Sequence, residues 1–137
     1  MAAEKNFENR VKNWLLSLGV YPLGFAADKM PVPPIGYYEK RWGGGYSKSG
    51  LPDMHITVNG ISLDVELKAS NGKPSDLQKQ KIRQINNSGG LAMVLYPEGF
   101  EEFKNIVKGV IKCNGHIQGL NALKDASGSI KCDILTG

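Results

Sequence analysis

MHITVNGISLDVELK, running from Met54 to Lys68, alternates apolar and polar residues on both sides of one break. Met54, Ile56, Val58, Ile61, Leu63, Val65 and Leu67 are apolar, and Asn59-Gly60 interrupts them. Asn-Gly between two alternating runs is the strongest short-range signal for a β-hairpin. With Asn59-Gly60 as a two-residue turn, Val58 pairs with Ile61. Counting back along both arms sets His55 opposite Asp64 and Asp53 opposite Glu66. The apolar residues then share one face, and Asp53, His55, Thr57, Ser62, Asp64, Glu66 and Lys68 share the other.

Directly opposed residues have Cβ atoms about 5 Å apart, and like charges so placed destabilise a sheet. A bound cation removes that cost, and carboxylate oxygens suit Mg²⁺ or Mn²⁺ rather than zinc. Lys68 leaves the same face two residues beyond Glu66. There it can orient or help deprotonate an attacking water, or stabilise charge on a phosphate. The hairpin pattern therefore favours phosphodiester hydrolysis. The plain alternative is an outward strand face that is polar because it meets water, with Glu66 and Lys68 a solvated ion pair.

Around the hairpin, the spacing of Phe7, Val11, Trp14, Leu15 and Leu18 predicts an amphipathic helix over Asn6 to Leu18, with Gly19 as its C-terminal cap. Residues 20 to 50 are dense in Pro, Gly and Tyr and are expected to be irregular, with at most a short strand. A second helix is expected from about Ser75 to Asn87, preceded by Pro74 and ended by Gly89-Gly90, with Leu77, Ile82 and Ile85 as its apolar stripe. Leu91 to Tyr96 reads as a buried strand. Phe100 to Ile111 reads as a third helix with Phe100, Phe103, Ile106, Val107 and Val110 inward. IKCDIL, residues 130 to 135, is the only strand-like stretch near the end and would be an edge strand.

Together these elements make an α/β domain, a mixed central sheet flanked by helices in the order α-β-β-β-α-β-α. The core spans about residues 6 to 112, and residues 113 to 137 form a weakly patterned C-terminal extension. At 137 residues and 41% hydrophobic, the chain fits one domain. The net charge of +4 and pI near 9.1 are compatible with a polyanionic partner without requiring one. Cys113 and Cys132 lack metal-ligand spacing and read as reduced thiols. No signal peptide or apolar run of about 20 residues is evident, so an intracellular, cytoplasmic protein with no membrane partner is expected.

Gly50-Leu51-Pro52-Asp53, followed by Asp64-Val65-Glu66-Leu67-Lys68, resembles the PD-(D/E)XK nucleases, closest to their VRR-NUC and Holliday-junction-resolvase-like branches. The resemblance covers residues 6 to 96 with the pieces in the family's order. It implies a restriction-endonuclease-like core. It implies that Asp53, Glu66 and the Leu67 backbone carbonyl hold a metal ion. Glu8 on the first helix would assist, with Glu4 as the alternative, and Lys68 would be the catalytic lysine. Ser75-Asp76-Leu77-Gln78 is similar to the family's S-x-x-Q helix opening, which makes Gln78, ahead of Gln80, a partner of the attacking water or the DNA backbone. The VRR motif itself is not evident, and Leu91 to Val94 occupies the comparable strand. The cofactor implied is Mg²⁺, with Mn²⁺ able to substitute.

Tyr37 to Lys48 mixes cations, aromatics and glycines, which suits a DNA-facing loop. Lys40, Arg41, Lys48 and Lys73 are expected to bind DNA phosphates, whereas Trp42 is expected to pack beneath the loop. Gly43-Gly44-Gly45 is no phosphate-binding signature, because no Lys-Ser/Thr or helix start follows it. Lys79, Lys81 and Arg83 extend a basic stretch that either neutralises phosphates or forms a solvated helix face. His55 is expected in a structural hydrogen bond, and His116 has no assigned role.

The function expected from this reading is a Mg²⁺-dependent endodeoxyribonuclease. Branched DNA such as a four-way junction or flap, a homodimeric state and a phage or mobile-element setting come from resemblance alone. The alternatives are a restriction- or repair-type nuclease acting on duplex DNA, and a non-catalytic DNA-binding module.

Overall fold

A computed structural model describes residues 2–41, 50–113 and 132–133. Helix α1 (Ala2–Leu18) leads into strand β1 (Val20–Pro22). Strands β2 (Gly36–Lys40), β3 (Met54–Val58) and β4 (Ile61–Leu67) follow, then helix α2 (Asp76–Asn87), strand β5 (Leu91–Leu95), helix α3 (Phe100–Cys113) and the two-residue strand β6 (Cys132–Asp133). The strands lie side by side in chain order. β1–β2 and β4–β5 are parallel, whereas β2–β3, β3–β4 and β5–β6 are antiparallel, so the sheet is mixed.

The hairpin has the expected register. Val58 faces Ile61, His55 faces Asp64, and the ladder ends with Met54 opposite Val65. Asn59 and Gly60 both adopt positive φ, 49° and 80°, as a tight turn between right-twisted strands requires. Gly19 also ends α1 at positive φ, and a Cβ there would stand 2.4 Å from the Pro33 carbonyl oxygen. Only glycine fits that close passage from helix to strand.

The apolar face of the sheet is covered by α1 and α3. Phe7, Val11 and Leu15 meet Phe103, Val107 and Val110 over Met54, Ile56, Leu63, Val65 and Met93, all essentially inaccessible. Phe7, Trp14, Phe100 and Phe103 join the two helices by edge-to-face contacts, with Phe7 and Phe100 centroids 5.7 Å apart. Helix α2 lies on the opposite face, where Ile82 packs on Ala92 and Val94. Asn86 clamps the start of β5, exchanging two hydrogen bonds with the Ala92 backbone.

Three sequence expectations need correction. The order α-β-β-β-α-β-α lacks one internal strand, since four strands precede α2. The stretch after Gly19 is less irregular than its composition suggests: it carries β1, where Val20 and Tyr21 are buried, and β2, which pairs along its whole length with β3. Leu77 is 40% exposed and does not belong to the α2 stripe, which is carried by Ile82 and the half-buried Ile85. The final edge strand is present as β6, beside β5. Among the described residues, no helix is long and apolar enough to cross a membrane.

Candidate active site

The polar face of the hairpin is far from a plain solvated stripe. Glu66 is 2% exposed and Asp64 8%, because α2 lies across this part of the sheet. Glu66 sits opposite the position just before β3, which is Asp53. Asp53 Oδ2 accepts the Leu67 backbone N–H at 3.1 Å, which fixes its carboxylate at the end of β4. Its own carbonyl accepts the Arg41 N–H at 2.6 Å.

Glu66 Oε2 accepts Gln78 Nε2 at 3.0 Å and stands 3.4 Å from Lys68 Nζ. Oε1 is buried and has no hydrogen-bond partner among the described residues. Burial pushes the Glu66 carboxyl up, the negative charge of Asp53 raises it further, and Lys68 reverses only part of this, leaving it at about 7. The lysine reaches its place because its backbone N–H bonds the Leu95 carbonyl and so continues the β4–β5 ladder.

Gln78 has a second task. Ser75 caps α2 by accepting the Gln78 N–H at 3.1 Å, and Gln78 Oε1 accepts the Ser75 N–H at 2.8 Å. This reciprocal capping box fixes the glutamine carbonyl and turns its amide nitrogen toward Glu66. Sequence reading placed Gln78 beside the site. It did not find that the same side chain ties the helix start to the buried acid.

Glu8 has different surroundings. It faces the α1 side of the sheet and is 5% exposed. Oε1 meets Lys40 Nζ at 2.8 Å, and Oε2 meets Lys12 at 2.6 Å and Lys5 at 3.1 Å. Burial alone would raise this carboxyl, but the bonds from Lys12, Lys40 and Lys5 outweigh it and hold it down at about 2. The structure therefore brings Asp53, Glu66, Lys68 and Gln78 together and gives Glu8 to three lysines.

The expected DNA-binding residues divide. Lys40 is bound to Glu8. Arg41 bridges the Pro52 carbonyl and Asp64 Oδ1, at 3.1 and 3.2 Å. Lys73 is exposed just before α2, and Lys48 and Trp42 lie outside the described residues, as does His116. His55 makes the expected structural contact, with Nδ1 2.8 Å from Asp64 Oδ1. The Arg41–Asp64–His55 cluster was not legible beyond the register of its last two members.

The donor set fits a hard divalent ion. Asp53 and Glu66 offer carboxylate oxygens, the sharpest sign being the orphaned Glu66 Oε1 beside a second acid. Among the described residues, no three His, Cys, Asp or Glu side chains are grouped to hold a metal. An ion here would thus rest on two carboxylates, a carbonyl and water, which suits Mg²⁺ because it keeps much of its hydration. The chain matches no family model, no curated protein and no solved structure.

Proposed function

We propose that this protein is a Mg²⁺-dependent endodeoxyribonuclease with a restriction-endonuclease-like core, acting on branched or otherwise structured DNA. The observation that carries the reading is the buried Glu66, with one oxygen unpartnered, a second carboxylate facing it and a lysine 3.4 Å away. An acid buried with an unsatisfied oxygen costs roughly 1–3 kcal/mol. A purely structural role gives that cost no return.

Asp53, Glu66 and the Leu67 carbonyl would hold the ion, with Mn²⁺ able to replace Mg²⁺. Such an ion supplies Lewis acidity toward a phosphate oxygen and lowers the pKa of a bound water. Lys68 stands where its ammonium can orient the attacking water and offset charge growing on the phosphorane. Gln78 holds Glu66 in place through Oε2, leaving Oε1 turned to the site. Leu67, through its N–H, sets the Asp53 carboxylate. Glu8 enters as support for the surrounding lysines rather than as a direct ligand, since both of its oxygens are already bonded. Lys73 and the stretch containing Lys48 are assigned to DNA phosphates, and a homodimer is proposed because two opposed nicks in a junction need two sites.

The test is incubation of the protein with end-labelled four-way junction, flap and linear duplex, in Mg²⁺ or in EDTA. Metal-dependent cutting of the branched substrates is expected, with Asp53→Asn inactive. Cutting in EDTA, or binding without any cutting in Mg²⁺, would overturn the reading. Sequence-specific cleavage of the linear duplex would point to a restriction-type enzyme instead.

A further inference from the structure

We infer that Lys40 is a resident cation of the site, neutralising Glu8 beside Asp53 so that the centre takes one divalent ion per chain and not two. The inference rests on the proposal that Asp53 and Glu66 hold a divalent ion.

Lys40 is the last residue of β2 and pairs with Met54, the residue after Asp53. The next residue, Arg41, donates its backbone N–H to the Asp53 carbonyl. Lys40 is thereby fixed at the end of the sheet that carries the paired acids. Its side chain runs to the α1 side and ends on Glu8 Oε1 at 2.8 Å, with only 22% of its surface exposed. Burial would lower its pKa. The bond to Glu8 and the charges of Asp53 and Glu4 overcome this and hold the ammonium above the usual lysine range. Lys40 thus carries its positive charge among three acids: Glu8 by direct contact, Asp53 and Glu4 through the field.

A second divalent ion among those acids would need anionic oxygens not already engaged. Glu8 has none, because Lys12 and Lys5 share Oε2. Binding there would displace Lys40 and leave a largely covered ammonium beside a dication. Removing one partner of a buried ion pair is strongly unfavourable for the charge left behind. Glu66 presents the opposite case, an oxygen with no partner. Within one small region, one acid is closed to metal by lysines and the other is open.

Calorimetric titration of the full chain with MnCl₂, without DNA, tests this. Wild type is expected to take up one ion per chain. Glu8→Gln should also bind one, with affinity within about threefold of wild type. Lys40→Met, which frees Glu8 Oε1 beside Asp53, should gain a second and weaker ion, and Lys40→Arg should return to one. Two ions on wild type, falling to one in Glu8→Gln, would overturn the role of Lys40 while leaving the metal site at Glu66 standing. A folded Lys40→Met that still binds one ion would overturn it as well. If Lys40→Met does not fold, the Glu8→Gln arm decides alone. No Mn²⁺ bound by wild type would instead overturn the metal reading itself.

Discussion

Glu8 and Glu66 are both acids buried to within 5% of full coverage, on opposite sides of the same end of one sheet, and they behave in opposite ways. Glu8 is ringed by Lys5, Lys12 and Lys40, and its carboxyl is held down at about 2. Glu66 faces another acid, keeps one oxygen unpartnered, and is pushed up to about 7. Burial is similar, so burial does not separate them. Glu8 is compensated within the fold, whereas Glu66 carries a charge the fold leaves uncompensated. A carboxylate of the second kind is what a cation-dependent site needs.

The comparison can be broken most directly at the chemistry. Glu66→Gln should lower DNA cleavage by at least about a thousandfold, in line with removing a group that holds a catalytic metal. Glu8→Gln should keep cleavage within about tenfold. Single-turnover rates on a labelled four-way junction measure both. Equal losses in the two variants would erase the distinction. Lys68→Ala should fall between them, by roughly 10²–10⁴-fold, the range for a group that stabilises charge or moves a proton in the transition state.

Stability in EDTA sharpens the same contrast with opposite signs. Folding raises the Glu66 carboxyl from 4.5 to about 7, so its folded form binds the proton more tightly than its unfolded form. Its contribution is fully present below pH 4.5, declines as pH rises toward 7, and then stays lost. The cost of ionising it is roughly 2–3 kcal/mol. Glu8 is lowered from 4.5 to about 2, so its contribution is present above pH 4.5 and is lost as pH falls toward 2. Urea unfolding of wild type, Glu66→Gln and Glu8→Gln from pH 3 to 8 should show this. At pH 8, Glu66→Gln should be as stable as wild type or more so, and Glu8→Gln less stable by about 1–3 kcal/mol, since three lysines lose their acid. A Glu66→Gln protein markedly less stable than wild type at pH 8 would contradict the uncompensated charge. The smallest effect is expected at the capping box. Gln78→Ala should cost α2 about 1 kcal/mol and slow cleavage about tenfold by loosening Glu66.

How much of this was legible follows from where the sequence carries local rules. Asn59-Gly60 and strict alternation set the register, and the register placed Asp53 by Glu66 and His55 by Asp64 with no other information. Ser75 and Gln78 marked a helix start through spacing alone. β1 was not legible, because three residues ending in proline show no period and their pairing with β2 is a tertiary event. Leu77 misled because helical spacing cannot tell a stripe that meets the sheet from one residue that overhangs it. The lysine ring around Glu8 was half visible. Lys5, Glu8 and Lys12 sit at helical spacing, but Lys40 comes from a strand 32 residues further on, and only the fold joins them. The substrate remains the least legible part, since residues 42–49, read as the DNA-facing loop, lie outside the described residues.

The central claim is that Glu66, paired with Asp53 and Lys68, forms a divalent-metal centre that hydrolyses DNA. The measurement that tests it most directly is nicking of a labelled four-way junction by wild type and Glu66→Gln, side by side, across a Mg²⁺ titration. The expected result is Mg²⁺-dependent nicking by wild type and none above background by Glu66→Gln at any Mg²⁺ concentration. Nicking by Glu66→Gln at the wild-type rate, or a folded wild type that binds the junction in Mg²⁺ and never cuts it, would contradict the claim.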